Sequence, residues 1–147
     1  MNFTYTVDAS VFLNGFNAHE PRHEESRRFL GWLREEAVPI IVPALLLPEV
    51  AAALARGSGD AGLARRFAQT LSRLPHLVLI PLDEVVASLA ADAAAELRLR
   101  GSDAVYIAVA QRFGTTLVTL DGEQLERGGL AVTTRVPMEA LREVRGL

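Results

Sequence analysis

Short apolar runs alternate with longer amphipathic stretches along the chain. Five runs have the length of buried strands: Phe3 to Val7, Pro39 to Val42, Leu77 to Ile80, Thr116 to Leu120 and Leu130 to Thr133. Helical patterns fill the gaps. In Glu24 to Glu36, Phe29, Leu30, Trp32 and Leu33 fall on one side, with Arg27, Arg28, Arg34 and Glu35 mostly opposite, as in a helix packed on a sheet. Pro39 stops it. Further helices are expected over Leu45 to Arg56, Ala61 to Leu74, Glu84 to Leu99 and Asp103 to Phe113, with Asp83 as N-cap of the Glu84 helix. Strands alternating with helices predict a three-layer α/β/α domain on a mostly parallel, five-stranded sheet with right-handed crossovers. No linker, repeat or low-complexity tract divides the chain, so residues 1–147 read as a single domain.

Composition narrows the chemistry. With 147 residues and half of them hydrophobic, the chain can bury a core without staples. Cysteine is absent, which removes disulfides, thiolate nucleophiles and Cys-ligated zinc. No uninterrupted apolar stretch reaches membrane-spanning length, and the N-terminus has no basic region followed by an apolar one; a soluble, cytoplasmic protein is expected. The net charge of −3 argues against a strongly basic, whole-surface nucleic-acid binder, though not against RNA. All 15 cationic residues are arginine, a pattern explained by a GC-rich genome and also suited to phosphate and carboxylate recognition.

Four acids stand within or beside apolar segments, where a carboxylate is costly. Asp8 ends the Phe3 to Val7 run and Asp121 ends Thr115 to Leu120, placing both at carboxyl ends of expected strands, where open α/β sheets bind ligands. Glu49 and Asp103 fall in first turns of apolar helices, and helix starts point to the same end. Two like charges about 5 Å apart repel by roughly 3 kcal/mol at an effective dielectric near 20, so four together require a cation or proton uptake. A shared divalent ion is the simpler answer. Taken singly, each acid has a plainer role: Asp8 or Asp103 as a helix cap, Glu49 as a solvated first-turn residue favoured by the helix dipole, Asp121-Gly122 as a turn.

Val7-Asp8-Ala9-Ser10, Pro48-Glu49-Val50, Ser102-Asp103-Ala104-Val105-Tyr106 and Val118-Thr119-Leu120-Asp121 occur in that order, over essentially the whole chain. This arrangement resembles the PIN-domain ribonucleases, and most closely the VapC toxins of toxin–antitoxin modules. The resemblance implies Mg²⁺- or Mn²⁺-dependent hydrolysis of RNA phosphodiesters by Asp8, Glu49, Asp103 and Asp121. It further implies a cognate VapB-like antitoxin and a homodimer. The chemistry agrees, because hard carboxylate oxygens suit these ions. Asp8 and Asp103 are expected as principal ligands; Glu49 and Asp121 would complete the set, one of them orienting or deprotonating water. Ser10 matches the small hydroxyl such sites place beside the metal, or else caps a helix. Glu123 matches an extra acid sometimes found after the last, although the commoner residue there is Asp.

Other features carry less. His19 and His23 are four apart, but Pro21 between them interrupts the helix that would pair them on zinc, so they read as surface histidines, as His76 reads as a loop residue. Phe29, Trp32 and Tyr106 read as core. Arg65, Arg66, Arg98 and Arg100 are candidate phosphate contacts or solvated helix residues. Gly57-Ser58-Gly59-Asp60 lacks the Lys-Ser/Thr sequel of a phosphate loop and reads as a turn with a cap. Receiver domains and haloacid-dehalogenase-type phosphatases normally use a lysine, and a dinucleotide fold would need glycines where Asp8 to Leu13 has none. A non-catalytic PIN-like scaffold would be expected to lose one or more acids; a PIN nuclease of RNA maturation remains as the alternative to a toxin.

Overall fold

The computed structural model describes residues 3–146; Met1, Asn2 and Leu147 of the expected 1–147 domain lie outside the described residues. In chain order the elements are β1 (Tyr5–Val7), α1 (Ala9–Phe16), α2 (His23–Glu35), β2 (Ile40–Pro43), α3 (Leu46–Ser58), α4 (Ala61–Ser72) and β3 (Leu77–Ile80). They continue with α5 (Glu84–Leu97), α6 (Gly101–Phe113), β4 (Thr116–Val118), α7 (Gly122–Glu126), a 3₁₀ turn (Gly128–Leu130), β5 (Thr134–Arg135) and α8 (Pro137–Arg145). The five strands form one sheet in the order β3-β2-β1-β4-β5, and every pairing is parallel. The three-layer expectation therefore holds, with helices on both faces.

The strand order reverses beside β1. The chain moves outward from β1 through β2 to β3, then returns to β4 on the other side of β1, with Tyr5, Thr6 and Val7 in register with Thr116, Leu117 and Val118. The carboxyl ends of β1 and β4 thus flank the switch point, where diverging loops leave a crevice. Period-two alternation distributes the sheet between two cores. Val7 and Val118 join Phe12, Phe29, Leu33 and Leu141 on one face, while Leu117 joins Val86, Tyr106 and Ile107 on the other. α6 is buried continuously from Asp103 to Ala110, being sandwiched between the sheet and α5. Thr6, a polar residue in the central strand, is fully buried and satisfied: its hydroxyl donates to Ile41 O at 2.7 Å and lies 2.6 Å from Thr115 Oγ1.

Helix ends follow the local chemistry. Asp60 accepts from Leu63 N and Asp83 from Val86 N as N-caps of α4 and α5. Gly59 and Gly114 adopt left-handed φ values of 69° and 64° after α3 and α6, a conformation that stops a helix without Cβ strain. Beyond the helices expected above, α1 and α7 lie between strands and α8 follows β5. α8 begins with Pro137, and Glu139 accepts from Val136 N at 3.0 Å.

The last strand departs from expectation. Leu130 to Thr133 was expected to pair, but Gly128–Leu130 is a 3₁₀ turn and β5 is displaced to Thr134–Arg135. A Cβ at Gly128 would stand 2.6 Å from Ile107 Cδ1, so the chain is pressed against α6 there and turns before it can enter the sheet. Leu130 is left 82% exposed. β4 also ends earlier than expected: the N–H of Thr119 still donates to Arg135 O, but those of Leu120 and Asp121 donate to the side-chain oxygens of Ser10 and Thr119 and leave the ladder. Packing consequently predicts opposite outcomes at two apolar positions. Urea unfolding should show Phe29→Ala destabilised by about 3–5 kcal/mol through loss of a fully buried ring. Leu130→Ser should stay within about 0.5 kcal/mol of the parent protein.

Candidate active site

All four acids are carried to the switch-point end by the elements that precede or contain them. Asp8 follows β1 in an extended conformation and caps α1: its Oδ2 accepts from Ser10 N at 2.9 Å. Asp121 follows β4 and caps α7, with Oδ1 accepting from Gln124 N at 2.9 Å. Asp103 is in the first turn of α6 and Glu49 in that of α3, where the helix dipole favours an anion. Asp8 and Asp103 are only 7% and 8% exposed, which is rare for carboxylates. Capping and site membership are therefore not alternatives for Asp8 and Asp121, whereas Asp103 lies inside α6 and Arg100 occupies the N-cap position.

Electrostatics couple the acids. Burial raises the Glu49 pKa; the Tyr106 hydrogen bond opposes this, and the charges of Asp8 and Asp103 add to the rise. Burial also raises that of Asp103, followed by repulsion from Asp121, against the lowering effect of Arg100. Arg100 spans two acids, with Nε 3.2 Å from Asp103 Oδ2 and Nη2 3.5 Å from Asp121 Oδ2, while its side chain stays 71% exposed. Tyr106 is fully buried, as expected of core, yet its hydroxyl donates to Glu49 Oε1 at 2.7 Å. Burial and the neighbouring Asp8 and Glu49 push its pKa far upward, so it remains a protonated donor. Tyr106 thus packs in the core and also touches one of the four acids.

Ser10 neither caps α1 nor points away. Its hydroxyl oxygen accepts from Leu120 N at 3.1 Å and lies 3.5 Å from Thr119 Oγ1, which ties the end of β4 to the start of α1. Gln124, missed by sequence reasoning, is fully buried beneath the acids and donates to Asp8 Oδ1 at 3.2 Å. Its only signal was a polar residue at the first-turn position that a capping aspartate, Asp121, serves. Glu123 is exposed and reaches Arg127 at 3.9 Å. His19 is exposed, and His23 opens α2 with Nδ1 2.8 Å from Asn14 O. His76 occupies a turn but is buried, which lowers its pKa. Arg65 and Arg66 are exposed on α4, and Arg98 follows α5 with its carbonyl accepting from Arg127.

Among the described residues, no three Asp, Glu or His side chains converge as a ready metal cage. The donor set nevertheless fits a hard divalent cation. It offers carboxylate oxygens alone, the pKa values of Glu49 and Asp103 are raised, and an arginine is drawn between two of its members. Glu49 and Asp103 would share the ion with Asp8 and Asp121.

The raised pKa values predict the pH response of the metal-free protein. Between the ordinary carboxylate pKa and the raised folded-state value, the native state holds more protons than the unfolded chain, so stability falls as pH rises through that window. Urea midpoints should therefore decline across it, and the decline should flatten in Asp103→Asn.

No helix among the described residues is long and apolar enough to cross a membrane. A comparison with curated protein sequences finds no match. Solved structures share the fold. VapBC2 from Rickettsia felis, bound to a DNA fragment from its promoter, matches with TM-score 0.69 and 15% identity over 91% of this chain and 98% of that one. VapC20 from Mycobacterium tuberculosis, a sarcin-ricin loop cleaving toxin, matches with TM-score 0.67 and 18% identity over 88% and 96%. PAE2754 from Pyrobaculum aerophilum matches with TM-score 0.66 and 23% identity over 99% and 97%. The model of the PIN domain family matches residues 5–130, which contain Asp8, Glu49, Asp103 and Asp121, and the chain belongs to that family.

Proposed function

We propose that this protein is a metal-dependent endoribonuclease acting as the toxin of a toxin–antitoxin pair. One observation carries the reading: four carboxylates, electrostatically coupled and partly desolvated, are carried to the switch-point end of a PIN domain. Likeness to VapBC2 and to VapC20, a sarcin-ricin loop cleaving toxin, supports the toxin assignment. Mg²⁺ or Mn²⁺ would be held mainly by Asp8 and Asp103, with Glu49 and Asp121 completing the set. Bound there, the ion would supply positive charge against the anionic phosphodiester and acidify water.

The chain's own groups divide the remaining work. Glu49 is the better proton acceptor of the two supporting acids, because its pKa is raised while both oxygens of Asp121 are engaged by Gln124 N and Arg100. Tyr106 holds Glu49 in place by its 2.7 Å hydrogen bond. Glu49 takes a proton from the attacking water, whose oxygen bonds to phosphorus as the phosphorus–oxygen bond to the leaving nucleotide breaks, and the departing oxygen keeps the electron pair and takes a proton from solvent. Arg100 is exposed enough to turn from Asp103 and Asp121 toward an RNA phosphate when the acids are otherwise neutralised. A VapB-like antitoxin would silence the enzyme by covering this crevice, and the toxin would act in the cytoplasm as a homodimer.

The reading predicts RNA cleavage that appears with Mg²⁺ or Mn²⁺ and stops with EDTA. Asp8→Asn and Asp103→Asn should each lower kcat by about a thousand-fold or more while folding normally, whereas His19→Ala should cleave at the parent rate. Cleavage that survives chelation, or survives in Asp103→Asn, contradicts the assignment.

A further inference from the structure

The buried carboxamide of Gln124 has no part in the chemistry so far described, yet it touches more of the acid cluster than any other neutral side chain named above. It is fully buried. An amide taken from water without partners costs on the order of 1–3 kcal/mol, so its contacts govern how it sits. Its Oε1 accepts from Thr119 Oγ1 at 2.6 Å, and Thr119 Oγ1 in turn accepts from Asp121 N at 3.0 Å. With the carbonyl end held by Thr119, the NH₂ end faces Asp8 Oδ1 at 3.2 Å and the main-chain oxygen of Asp103 at 3.4 Å. Its backbone N–H donates to Asp121 Oδ1 at 2.9 Å.

We propose that Gln124, locked by Thr119, is a positioning residue that fixes the carboxylate of Asp8 relative to Asp103 and Asp121. This role rests on the nuclease reading of the same site. A neutral donor suits it. Asp8 Oδ2 is held by Ser10 N and Oδ1 by Gln124, so the carboxylate is oriented from both sides without being neutralised. Arg100 differs on both counts, since it brings a charge and stands largely in solvent. The hydroxyl of Thr119 completes the arrangement by fixing which end of the amide faces Asp8, as outer groups around metal ligands commonly do.

Two variants separate positioning from filling. Gln124→Met keeps the volume and loses every side-chain hydrogen bond. Calorimetric titration should show it binding Mn²⁺ about ten-fold more weakly, with kcat reduced and KM for RNA little changed. Gln124→Glu can reproduce the contacts to Asp8 and Thr119, though not that to Asp103, and only when protonated, its O–H donating to Asp8 and its carbonyl accepting from Thr119. When ionised it repels Asp8. The ratio of its kcat to the parent value should therefore rise as pH falls from about 8 to about 5.5, while the ratio for Gln124→Met stays low and flat. Parent-like Mn²⁺ affinity and kcat in Gln124→Met overturn the role of Gln124 and leave the nuclease reading intact. A pH-independent ratio for Gln124→Glu also overturns that role, even if the methionine variant does not fold. Parent protein that binds no Mn²⁺ overturns both.

Discussion

Mutual repulsion among carboxylates at the carboxyl ends of the central strands is the constraint around which this end of the domain is built. A sheet ordered β3-β2-β1-β4-β5 opens between β1 and β4, and Asp8 and Asp121 follow those two strands. α3 and α6 bring Glu49 and Asp103 to the same place. Nothing in core packing favours this concentration of charge, and the raised pKa values of Glu49 and Asp103 record its cost. Neutral donors hold three of the acids in place, Ser10 N and Gln124 for Asp8, Tyr106 for Glu49 and the backbone of α7 for Asp121, whereas the carboxylate of Asp103 accepts from Arg100. Among the described residues the one cation ion-paired with these acids, Arg100, is mostly solvated and so the part of the arrangement most readily exchanged.

That distribution explains how the fold can carry such a site. For Asp8, Glu49 and Asp121 orientation comes largely from groups that add no charge, two of them backbone N–H groups already present at helix starts. Beneath them, the apolar faces of β1, β4 and α6 form both cores and keep the acids' attachment points rigid. Compensating charge is left to a group that can leave. In a nuclease this is useful, because the same crevice must accept a phosphodiester that also arrives negatively charged.

The parts of this architecture legible in the sequence are those encoded locally. Strand ends followed by Asp, and Glu49 and Asp103 opening apolar helices, were enough to bring all four acids to one end of an α/β sheet. Asp60 and Asp83 announced their caps in the same way. The groups that hold the site were not legible, because their partners are distant in sequence. Tyr106 meets Glu49 and Gln124 meets Asp8 only after the sheet has closed, so one read as core alone and the other went unread. Arg100 stood among several candidate phosphate contacts until its two carboxylate partners set it apart. The misplaced last strand has a tertiary cause as well: the apolar run from Leu130 suits a strand, but close approach of Gly128 to Ile107 turns the chain first.

Thermal melting with and without Mn²⁺ tests the central claim most directly, namely that these carboxylates are held together at a cost that a divalent ion relieves. The parent protein should show a saturable rise in Tm with Mn²⁺ beyond that produced by monovalent salt of equal ionic strength. The Asp8→Asn, Asp103→Asn double variant should melt higher than the parent without metal and gain nothing from Mn²⁺. A double variant that melts no higher, and is stabilised by Mn²⁺ as much as the parent, would contradict the account.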